Sequence, residues 1–490
     1  MPRHLLIAGK KVEGQGRPLT AVNPVDGSVV DTVGTPSPEQ IDDAVRRASA
    51  AASDSKWRNL LPHARADYLH KAAARLAERA EELARLQMAE NGKTLAECRE
   101  QAISTVGIIR YFASLCETLE SEVTPPRGSY VSMTVYEPLG VVLAVTPYNS
   151  PLTLGAQKVA AALAAGNAVI LKPSHITSIT SLELGQVFVD AGLPPGLISV
   201  LPGGTEVGMA LVEHPDVNMI SFTGGTKTGQ AIAQAVARRL IPVVLELGGK
   251  SPNIVFDDAD MELTIPAIPY SAFSSMGQSC TTGTRLFVQR TIYDKFVKSV
   301  VDLTKRIRIG HPEDPRAMLG PLSSFDDLKR VEGWVARAAQ EGGRILVGGE
   351  RPTSGDLSRG AYYMPTIIDG LDNTASLCQE EVFGPVLCVL PFEGEDDLIR
   401  QANGTVYGLA AGIWTRDFAK AWRVARALDA GSVWINTYRN SSISTPFGGF
   451  KHSGLGREKG PHGIRIYQEA KSMYFGLAPM PWHTDLTESI

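Results

Sequence analysis

The chain has 490 residues, a formal net charge of −4, 43% hydrophobic residues and 20% charged residues. This length exceeds what one hydrophobic core usually serves, so two or three domains are expected. The nearly neutral charge and the lack of a long basic run argue against a nucleic-acid partner. No stretch of about 18 apolar residues occurs, so a membrane span is not expected. The N-terminus also lacks the apolar core of a signal peptide.

The five cysteines are irregularly spaced: Cys98, Cys116, Cys280, Cys378 and Cys388. There is no Cys-x-x-Cys pair and no His/Cys cluster with zinc spacing, so neither a disulfide framework nor a metal site is expected. A reducing, cytoplasmic location fits this cysteine usage best.

In chain order, residues 38–119 are predicted to be mainly helical, because Ala, Leu, Arg and Glu recur at helical spacing. Pro125, Pro126 and Gly128 end this pattern, and residues 130–136 read as extended chain. Strands are then predicted at 141–145, 168–171, 198–201, 219–222 and 243–245, with helices at 152–165, 178–191, 206–213 and 228–238. Short loops and continuous apolar strands are typical of a parallel sheet covered on both faces. The sequence therefore predicts a Rossmann-like α/β unit with five parallel strands.

Ligands of such sheets bind where the carboxyl ends of the strands meet. The segments after the predicted strands are rich in Gly, Asn, Lys and Thr: 146–151, 172–174, 202–204, 223–229 and 246–250. The loop 223–229, Thr-Gly-Gly-Thr-Lys-Thr-Gly, opens a predicted helix whose free N–H groups favour phosphate. It matches neither the G-x-G-x-x-G fingerprint nor a Walker A loop, and a purely structural glycine turn is the alternative. Lys172 follows a strand and either reaches ribose or phosphate or is an ordinary surface lysine.

Cys280 has small and polar neighbours in Gly277-Gln278-Ser279-Cys280-Thr281-Thr282-Gly283. Such a segment suits an accessible thiol in a tight turn, whereas the other four cysteines lie in apolar or helical surroundings. A lone cysteine is more often inert than catalytic, so its position alone decides nothing.

From about residue 10 to about residue 475, the chain resembles the aldehyde dehydrogenase superfamily in a series of ordered motifs. They are Thr146-Pro147-Tyr148-Asn149, Lys172-Pro173-Ser174, Phe222-Thr223-Gly224-Gly225-Thr226, Glu246-Leu247-Gly248-Gly249-Lys250, Gly277-Gln278-Ser279-Cys280, Glu381-Val382-Phe383-Gly384-Pro385 and Pro446-Phe447-Gly448-Gly449. Each motif alone is weak, but the whole series in the family's order is specific.

The resemblance implies oxidation of an aldehyde to a carboxylic acid. Cys280 would be the nucleophile, and the Asn149 amide with the Cys280 backbone N–H would stabilise the oxyanion. Glu246 would activate the water that hydrolyses the thioester. Lys158 and Glu458 match positions linked to relaying protons from that glutamate.

The resemblance also implies NAD or NADP as the cofactor. Lys172 and Glu381 match ribose-binding positions, Phe383 a residue near the nicotinamide, and Gly225 a pyrophosphate-contacting position that is often serine. The full predicted cofactor site is Thr146, Pro147, Tyr148, Lys172, Ser174, His175, Gly204, Phe222, Thr223, Gly224, Gly225, Thr226, Gly229, Leu247, Gly248, Glu381 and Phe383. The alternatives are a surface acid for Glu381 and a core residue for Phe383. Many NAD-preferring members have glutamate where this chain has His175, so we expect NADP to be tolerated, since an imidazole does not repel a 2′-phosphate.

The substrate tunnel differs from that of several members that oxidise simple aliphatic aldehydes. Their bulky aromatics correspond here to Ser150, Gln157 and Ser441, which predicts a wider and wetter pocket. Arg439 is a candidate clamp for a carboxylate; the alternative is a surface arginine paired with a neighbouring acid. The predicted substrate residues are Ser150, Gln157, Ser279, Thr281, Arg439, Ser441 and Phe447. A polar aldehyde, bearing a carboxylate or a hydroxyl group, is expected.

The resemblance implies a cofactor domain of residues 1–119 and 139–248 and an α/β catalytic domain of residues 249–466. Residues 120–138 and 467–490 would form a small β oligomerisation flap, and a homodimer or homotetramer is expected. Two rival functions remain. One is an aldehyde dehydrogenase that acylates coenzyme A, against which Glu246 argues. The other is a non-catalytic structural protein on the same fold.

Overall fold

The computed structural model describes residues 1–478, so residues 479–490 of the predicted flap lie outside the described part. The described chain folds around two hydrophobic cores. The first is built from residues 5–247 with Ile464 and Tyr467, and the second from residues 254–438. We call the parts that surround them the first unit and the second unit. Both are layers of helices on a largely parallel sheet, which confirms the predicted α/β fold class.

The first unit begins with short strands and a helical layer. These elements are β1 (Leu5–Ile7), β2 (Lys10–Val12), β3 (Leu19–Val22), β4 (Val29–Val33), α1 (Pro38–Ser53), α2 (Ser55–Arg58), α3 (Pro62–Glu78), α4 (Ala80–Asn91) and α5 (Leu95–Thr118). Helix α1 starts where the Ser37 hydroxyl accepts the Gln40 N–H and the Gln40 side chain accepts the Ser37 N–H. Thr94 and Glu97 form the same capping box at α5. The helical prediction for residues 38–119 is confirmed.

After the extended strands β5 (Glu122–Thr124) and β6 (Tyr130–Pro138), strands and helices alternate. They are β7 (Val141–Val145), α6 (Pro151–Ala164), β8 (Ala168–Lys172), α7 (Ser178–Asp190), β9 (Ile198–Val200), α8 (Thr205–Glu213), β10 (Met219–Thr223), α9 (Thr226–Ala237) and β11 (Val243–Glu246). The five strands of this alternation lie parallel in the order β11-β10-β7-β8-β9, as predicted. Continuous apolar sequences suit them because both faces of the sheet are buried.

The register of this sheet places the ends of four parallel strands, and the polar segments that follow them, at one edge. Val145 pairs with both Lys172 and Phe222, and Thr223 pairs with Glu246. Strands β7, β8, β10 and β11 therefore end side by side, and the polar segments that follow them meet at that edge.

The second unit contains β12 (Pro252–Val255), α10 (Met261–Phe273), β13 (Arg285–Gln289), α11 (Tyr293–Thr304), α12 (Phe325–Gln340), β14 (Arg344–Val347), β15 (Thr366–Asp369), α13 (Ser376–Gln379), β16 (Val386–Phe392), α14 (Glu395–Asn403), β17 (Ala410–Trp414), α15 (Phe418–Ala427) and β18 (Ser432–Ile435). Its sheet has the order β14-β15-β16-β13-β12-β17-β18. All of its neighbours pair in parallel except β14 and β15. The connection from α10 to β13 carries Cys280.

The chain then returns to the first unit through β19 (Gly454–Leu455), α16 (His462–Arg465) and β20 (Gln468–Gly476). Strand β19 pairs antiparallel with β11, and Ile464 and Tyr467 are buried in the first core. Strand pairing thus returns the chain to the first sheet by residue 454, before the limit predicted for the second domain at residue 466, which stays a prediction. With β1 and β2 at the opposite edge, the first sheet has eight strands rather than the five predicted.

A separate three-stranded antiparallel sheet has the order β20-β6-β5. Strand β20 pairs along its whole length with β6, from Gln468 opposite Pro138 to Gly476 opposite Tyr130. Its side chains are largely exposed, including Met473, Tyr474 and Phe475. These strands correspond to the segments predicted to form an oligomerisation flap.

Candidate active site

A cavity of about 1630 Å³ opens where β7, β8, β10 and β11 end, and residues of both units line it. The predicted site residues on its wall are Thr146, Pro147, Tyr148, Asn149, Ser150, Gln157, Lys172, Ser174, His175, Gly204, Phe222, Thr223, Gly224, Gly225, Thr226, Glu246, Leu247, Gly248, Ser279, Cys280, Thr281, Glu381, Phe383, Arg439, Ser441, Phe447 and Glu458. One cavity thus unites the predicted catalytic, cofactor and substrate residues, apart from Lys158 and Gly229.

Gly229, whose contact with the cofactor stays a prediction, packs closely against Leu247. A Cβ at this position in α9 would lie 2.4 Å from a methyl carbon of Leu247. The glycine therefore lets α9 pack closely against the segment after β11.

Cys280 follows a tight turn at residues 274–277. Ser275, Met276 and Gly277 have left-handed backbone torsions, with φ of 56°, 55° and 66°. A Cβ on Gly277 would lie 2.2 Å from the carbonyl oxygen of Gly384, so no larger residue fits there. Cys280 is partly exposed, whereas the other four cysteines are buried.

The surroundings of Cys280 favour the thiol over the thiolate. Burial raises the pKa of Cys280 to about 12, and the charges of Glu381 and Glu246 add to this, while Lys459 and Arg439 oppose it. Because the thiolate is the reactive form, this site needs a group that removes the thiol proton.

Asn149 lies next to the loop that carries Cys280. It lies between β7 and α6, one residue before the Ser150 N-cap, and its side-chain Nδ2 donates to the carbonyl oxygen of Gln278 at 2.9 Å. This bond uses one of the two N–H groups of the amide and leaves the other free to donate. The Asn91 side chain donates to the Tyr148 carbonyl oxygen at 3.2 Å and so supports the same segment.

Glu246, the last residue of β11, is 4% exposed. Neither of its carboxyl oxygens has a hydrogen-bond partner within residues 1–478. Burial raises the pKa of Glu246 well above its usual range, and the charge of Glu458 adds to this shift. Gly448 leaves room for the carboxyl group, since a Cβ there would lie 2.8 Å from Oε1. A raised pKa makes this carboxylate a stronger base than an exposed one, as a general base requires.

Glu458 is also buried, but its carboxylate is fully engaged. It forms an ion pair with the Lys158 ammonium, accepts from the Gln157 amide, and accepts from the Ser221 hydroxyl at 3.0 Å. Lys158 also donates to Ser221 at 2.9 Å, and the Tyr467 hydroxyl donates to Ser221 at 3.1 Å. Gln157 was predicted as a substrate residue; it does line the cavity, but its amide is bound to Glu458.

We call the residues at the ends of the parallel strands, Thr146, Lys172, Thr223 and Glu246, the strand-end wall. The hydroxyls of Thr146 and Thr223 are buried and have no partner within residues 1–478. Burial lowers the pKa of Lys172 to about 8, although the charge of Glu206 opposes the shift. Free hydroxyls and an ammonium beside the start of α9 are the groups that bind phosphate and ribose.

Two further predicted cofactor residues reach the strand-end wall from the second unit. Glu381 accepts the Gly249 N–H at 3.2 Å, and burial raises its pKa to about 7. A Cβ on Gly248 would lie 2.3 Å from Glu381 Oε2, so the glycine is needed for this contact. Phe383 packs edge-on against Tyr148, with ring centroids 6.0 Å apart. Neither alternative, a surface acid or a core residue, describes these two side chains.

No helix within residues 1–478 has both the length and the apolar character to span a membrane. The same residues contain no group of three or more His, Cys, Asp or Glu side chains that could hold a metal ion.

The sequence matches a family model described as the aldehyde dehydrogenase family over residues 11–473. The chain belongs to the aldehyde dehydrogenase family. This confirms the predicted resemblance over nearly the same range.

Solved structures of other aldehyde dehydrogenases share the whole fold. A betaine aldehyde dehydrogenase from Staphylococcus aureus, in complex with NAD+, is 36% identical, covers 98% of this chain and 96% of its own, and has a TM-score of 0.96. A putative aldehyde dehydrogenase from Burkholderia cenocepacia is 37% identical, with 98% and 99% coverage and a TM-score of 0.95. The HpcC protein from Thermus thermophilus is 37% identical, with 98% and 94% coverage and a TM-score of 0.95.

In this aldehyde dehydrogenase a polar network not foreseen in the sequence supports the Cys280 loop. Asp327, in the first turn of α12, accepts from the Tyr148 hydroxyl at 3.1 Å and from the Gln278 amide at 3.1 Å. Arg330 forms an ion pair with Asp327 at 2.5 Å and donates to the Phe383 carbonyl oxygen at 3.3 Å. These bonds connect Tyr148, which is next to Asn149, with the Cys280 loop and with the backbone at Phe383. The network therefore fixes the positions of these three segments relative to one another.

Another part of the cavity lining comes from irregular backbone. We call Arg439, Ser441, Phe447 and Lys459 the loop wall. The Arg439 guanidinium donates to the Ser274 carbonyl oxygen at 3.3 Å and lies 6.0 Å from the Tyr270 ring centroid. It forms no ion pair within residues 1–478, so the alternative of an acid-paired surface arginine is wrong for this part of the chain. Lys459 was not predicted at all, because it lies in the charged run Arg457-Glu458-Lys459.

Proposed function

We propose that this chain oxidises a polar aldehyde to a carboxylic acid with NAD or NADP, through a thioester on Cys280. The observation that carries the proposal is that Cys280, Asn149 and Glu246 line one cavity together with Thr146, Lys172 and Thr223 of the strand-end wall. A nucleophile, an oxyanion donor and a buried carboxyl are the three groups that this reaction needs.

The reaction begins when the Cys280 thiol loses its proton to Glu246 or to solvent. The thiolate sulfur bonds to the aldehyde carbon, and the carbonyl π electrons move to the oxygen. The second N–H of the Asn149 amide and the Cys280 backbone N–H donate to that oxyanion. An oxidised nicotinamide, when bound, supplies the acceptor for the hydride that leaves the same carbon.

The thioester left on Cys280 must then be hydrolysed. Glu246 takes a proton from water, and the water oxygen bonds to the thioester carbon as the carbon–sulfur bond breaks. This releases the carboxylic acid and restores the thiolate. Because neither oxygen of Glu246 has a protein partner within residues 1–478, both are free to hold water.

The strand-end wall fits a dinucleotide in three respects. Thr146 and Thr223 offer unpartnered buried hydroxyls within the described chain, and Lys172 lies at the end of β8. Gly225 precedes the first turn of α9, and a Cβ there would meet no described atom within 4 Å. Similar proteins have been solved in complex with NAD+. His175 is exposed on the same wall and carries no negative charge, so we infer that NADP is accepted too.

The proposed substrate is polar because three cavity residues are polar where bulky aromatics would exclude water: Ser150, Gln157 and Ser441. Arg439 faces the cavity, and no acid within residues 1–478 pairs with it, so a carboxylate is its natural ligand.

We also propose that the exposed sheet β20-β6-β5 mediates self-association. Its outer strand presents Met473, Tyr474 and Phe475 to solvent, and such an edge favours pairing with a second copy. Whether the assembly is a dimer or a tetramer is open to sedimentation analysis.

The test is a panel of aldehydes of different length, charge and aromaticity, assayed with NAD and NADP by absorbance at 340 nm. We expect Cys280→Ser to abolish turnover, with a loss of at least about 10⁴-fold. Cys116→Ser is the matched control, because Cys116 is buried, does not line the cavity and donates to backbone carbonyl oxygens. Absence of reduced coenzyme with every aldehyde would refute the proposal.

Product analysis separates this function from coenzyme A acylation. We expect free acid to form at the same rate with and without coenzyme A, since Glu246 can activate water. Formation of an acyl-coenzyme A, with little acid in its absence, would favour the rival chemistry.

A further inference from the structure

Lys459 is a cation on the loop wall without a counter-ion in the described chain. It lines the cavity, and its ammonium lies 4.8 Å from the ring centroid of Phe447. Within residues 1–478 it forms neither an ion pair nor a hydrogen bond through its side chain. The adjacent Glu458 is engaged by Lys158, Gln157 and Ser221, and Glu246 has no hydrogen-bond partner in the same range.

Lys459 lies at the cavity because its backbone has an unusual torsion angle. Its φ of 60° lies in the left-handed region, which non-glycine residues seldom adopt and which costs about 1–3 kcal/mol. Hydrogen bonds hold the backbone on both sides of Lys459. The Glu458 N–H donates to the Phe447 carbonyl oxygen at 2.8 Å, and the Gly460 N–H donates to the Ile443 carbonyl oxygen at 2.8 Å. Lys459 is thus held at the cavity by its surroundings.

Arg439 supplies a second cation on the same wall, also without an acid partner among residues 1–478. The charges of both residues act on the Cys280 sulfur, because both oppose the rise in the pKa of that thiol. Of the nearby acids, Glu381 accepts a backbone N–H and Glu458 is paired with Lys158, whereas Glu246, whose charge also acts on the Cys280 sulfur, lines the same cavity. Two cations without a hydrogen-bonded acid partner among residues 1–478 therefore line the cavity that contains Cys280.

We propose that Lys459 is a specificity-determining residue whose ammonium, together with Arg439, binds the carboxylate of an anionic aldehyde and repels a cationic one. The inference rests on the proposed aldehyde oxidation and names its substrate class. A carboxylate gives Lys459 the charged partner that the described chain does not provide. Burial lowers the pKa of Lys459, and contact with an anion favours the charged form again.

We expect the position of Lys459 over Phe447 to exclude a quaternary ammonium. Cations of that kind bind over aromatic faces, but the Lys459 ammonium already lies over Phe447. The similar Staphylococcus aureus proteins are named betaine aldehyde dehydrogenases, and betaine aldehyde carries a quaternary ammonium. We therefore expect a substrate charge opposite to that of betaine aldehyde.

The test compares kcat/KM for 4-oxobutanoate, its neutral methyl ester and betaine aldehyde. In the wild-type enzyme we expect the acid to exceed the ester by about tenfold or more, as one charged hydrogen bond allows, and betaine aldehyde to be the poorest. Lys459→Met should bring the ratio of acid to ester close to one, and Lys459→Arg should keep most of it. Only the ratios are compared, so a general loss of activity does not imitate the effect.

Lys451→Met is the matched control. Lys451 is also a lysine with left-handed backbone, at φ 50°, but it is exposed and bonded to the Asn403 carbonyl oxygen away from the cavity wall. We expect this variant to keep the wild-type ratio of acid to ester. A similar ratio change in both variants would show a nonspecific effect and would overturn the proposal.

A wild-type ratio of acid to ester near one would also contradict the proposal. So would an equal loss of kcat/KM on the acid and on the ester in Lys459→Met. If the wild-type enzyme oxidises no aldehyde of any charge, the proposed function fails, and the charge preference is then judged by calorimetry with succinate. Succinate binding that weakens about tenfold in Lys459→Met supports the cationic subsite. No binding of succinate to the wild-type protein overturns it.

Discussion

The strand-end wall and the loop wall line one cavity but are built on different backbone. Thr146, Lys172, Thr223 and Glu246 lie where hydrogen-bonded parallel strands end in register. On the loop wall, Arg439 and Lys459 have φ of 63° and 60°, which regular structure does not use. The first wall is a direct product of the sheet, whereas the second depends on local anchoring.

This difference suggests a division of tasks: the strand-end wall serves the reaction, and the loop wall selects the substrate. Groups at strand ends keep their positions as long as the sheet forms, so they suit a cofactor and a general base that every turnover needs. A loop can change its side chains without disturbing the sheet, so it suits the residues that select the aldehyde. Cys280 stands between the two, on a connection whose turn is itself left-handed.

The strongest way to test the strand-end wall is Glu246→Gln. If Glu246 activates water, thioester hydrolysis should slow by about 10²–10⁴-fold, while the first hydride transfer still occurs. We expect one equivalent of reduced coenzyme in a burst, and an acylated Cys280 in the intact mass. Because burial raises the pKa of Glu246, the wild-type rate should rise with pH as this carboxyl ionises, and the variant should lose that rise.

Glu213→Gln serves as its control, since Glu213 is exposed at the end of α8 and does not line the cavity. An unchanged steady-state rate in Glu246→Gln would remove this carboxylate from the proposed mechanism. A lost burst would assign it to thiol activation instead.

The second prediction concerns the buried ion pair of Lys158 and Glu458, which links α6 to the segment that carries Lys459. Lys158, in α6, is 0% exposed, and Glu458 reaches it from the loop segment. Glu458→Gln leaves a buried ammonium without its charge partner, and we expect a loss of about 3–5 kcal/mol in the free energy of unfolding. Chemical denaturation measures it.

The double variant Lys158→Met with Glu458→Gln tests the cause. Removing the unpaired charge should restore much of the lost stability, because the ammonium no longer has to be buried alone. If the double variant is as unstable as the single one, the ion pair is not the reason for the loss.

The contrast between the walls also explains what could be predicted from the sequence. The strand predicted at 141–145 is observed at Val141–Val145, because continuous apolar residues between polar segments suffice to mark a buried strand. The residues that follow such strands were therefore placed correctly at the cavity edge. Strand β19 was missed because two residues, Gly454 and Leu455, carry no periodic pattern.

Only some residues of the loop wall could be predicted from the sequence. Arg439 and Phe447 were found through the family motifs, but Lys459 lies in a charged run that is typical of a solvated surface. Lys459 reaches the cavity because its backbone adopts a left-handed torsion. The sequence does not predict this torsion, because lysine seldom adopts it. Asp327 was missed for a similar reason, since it meets Gln278 across 49 residues of sequence.

The third prediction concerns Asn149. Removing an oxyanion donor costs about 2.7–4 kcal/mol of barrier, so Asn149→Ala should lower kcat by about 10²–10³-fold. Asn149→Asp keeps the shape without the amide donor and should be as impaired. Since Nδ2 also supports the Gln278 carbonyl, the rate of Cys280 alkylation by iodoacetamide should be measured in both variants. Full activity in Asn149→Asp would contradict the donor role.

The smallest expected effect lies at the exposed edge of the strand-end wall. His175→Glu introduces a carboxylate beside Lys172, where it would repel the 2′-phosphate of NADP but can accept from ribose hydroxyls. We expect the ratio of kcat/KM for NADP to that for NAD to fall by about tenfold, and by less at high salt, because His175 is exposed and solvent screens its interactions. His175→Gln is the neutral control and should keep the wild-type ratio. A wild-type preference for NAD of about a hundredfold or more would contradict the inference that His175 admits NADP, and would mean that groups other than residue 175 exclude the phosphate.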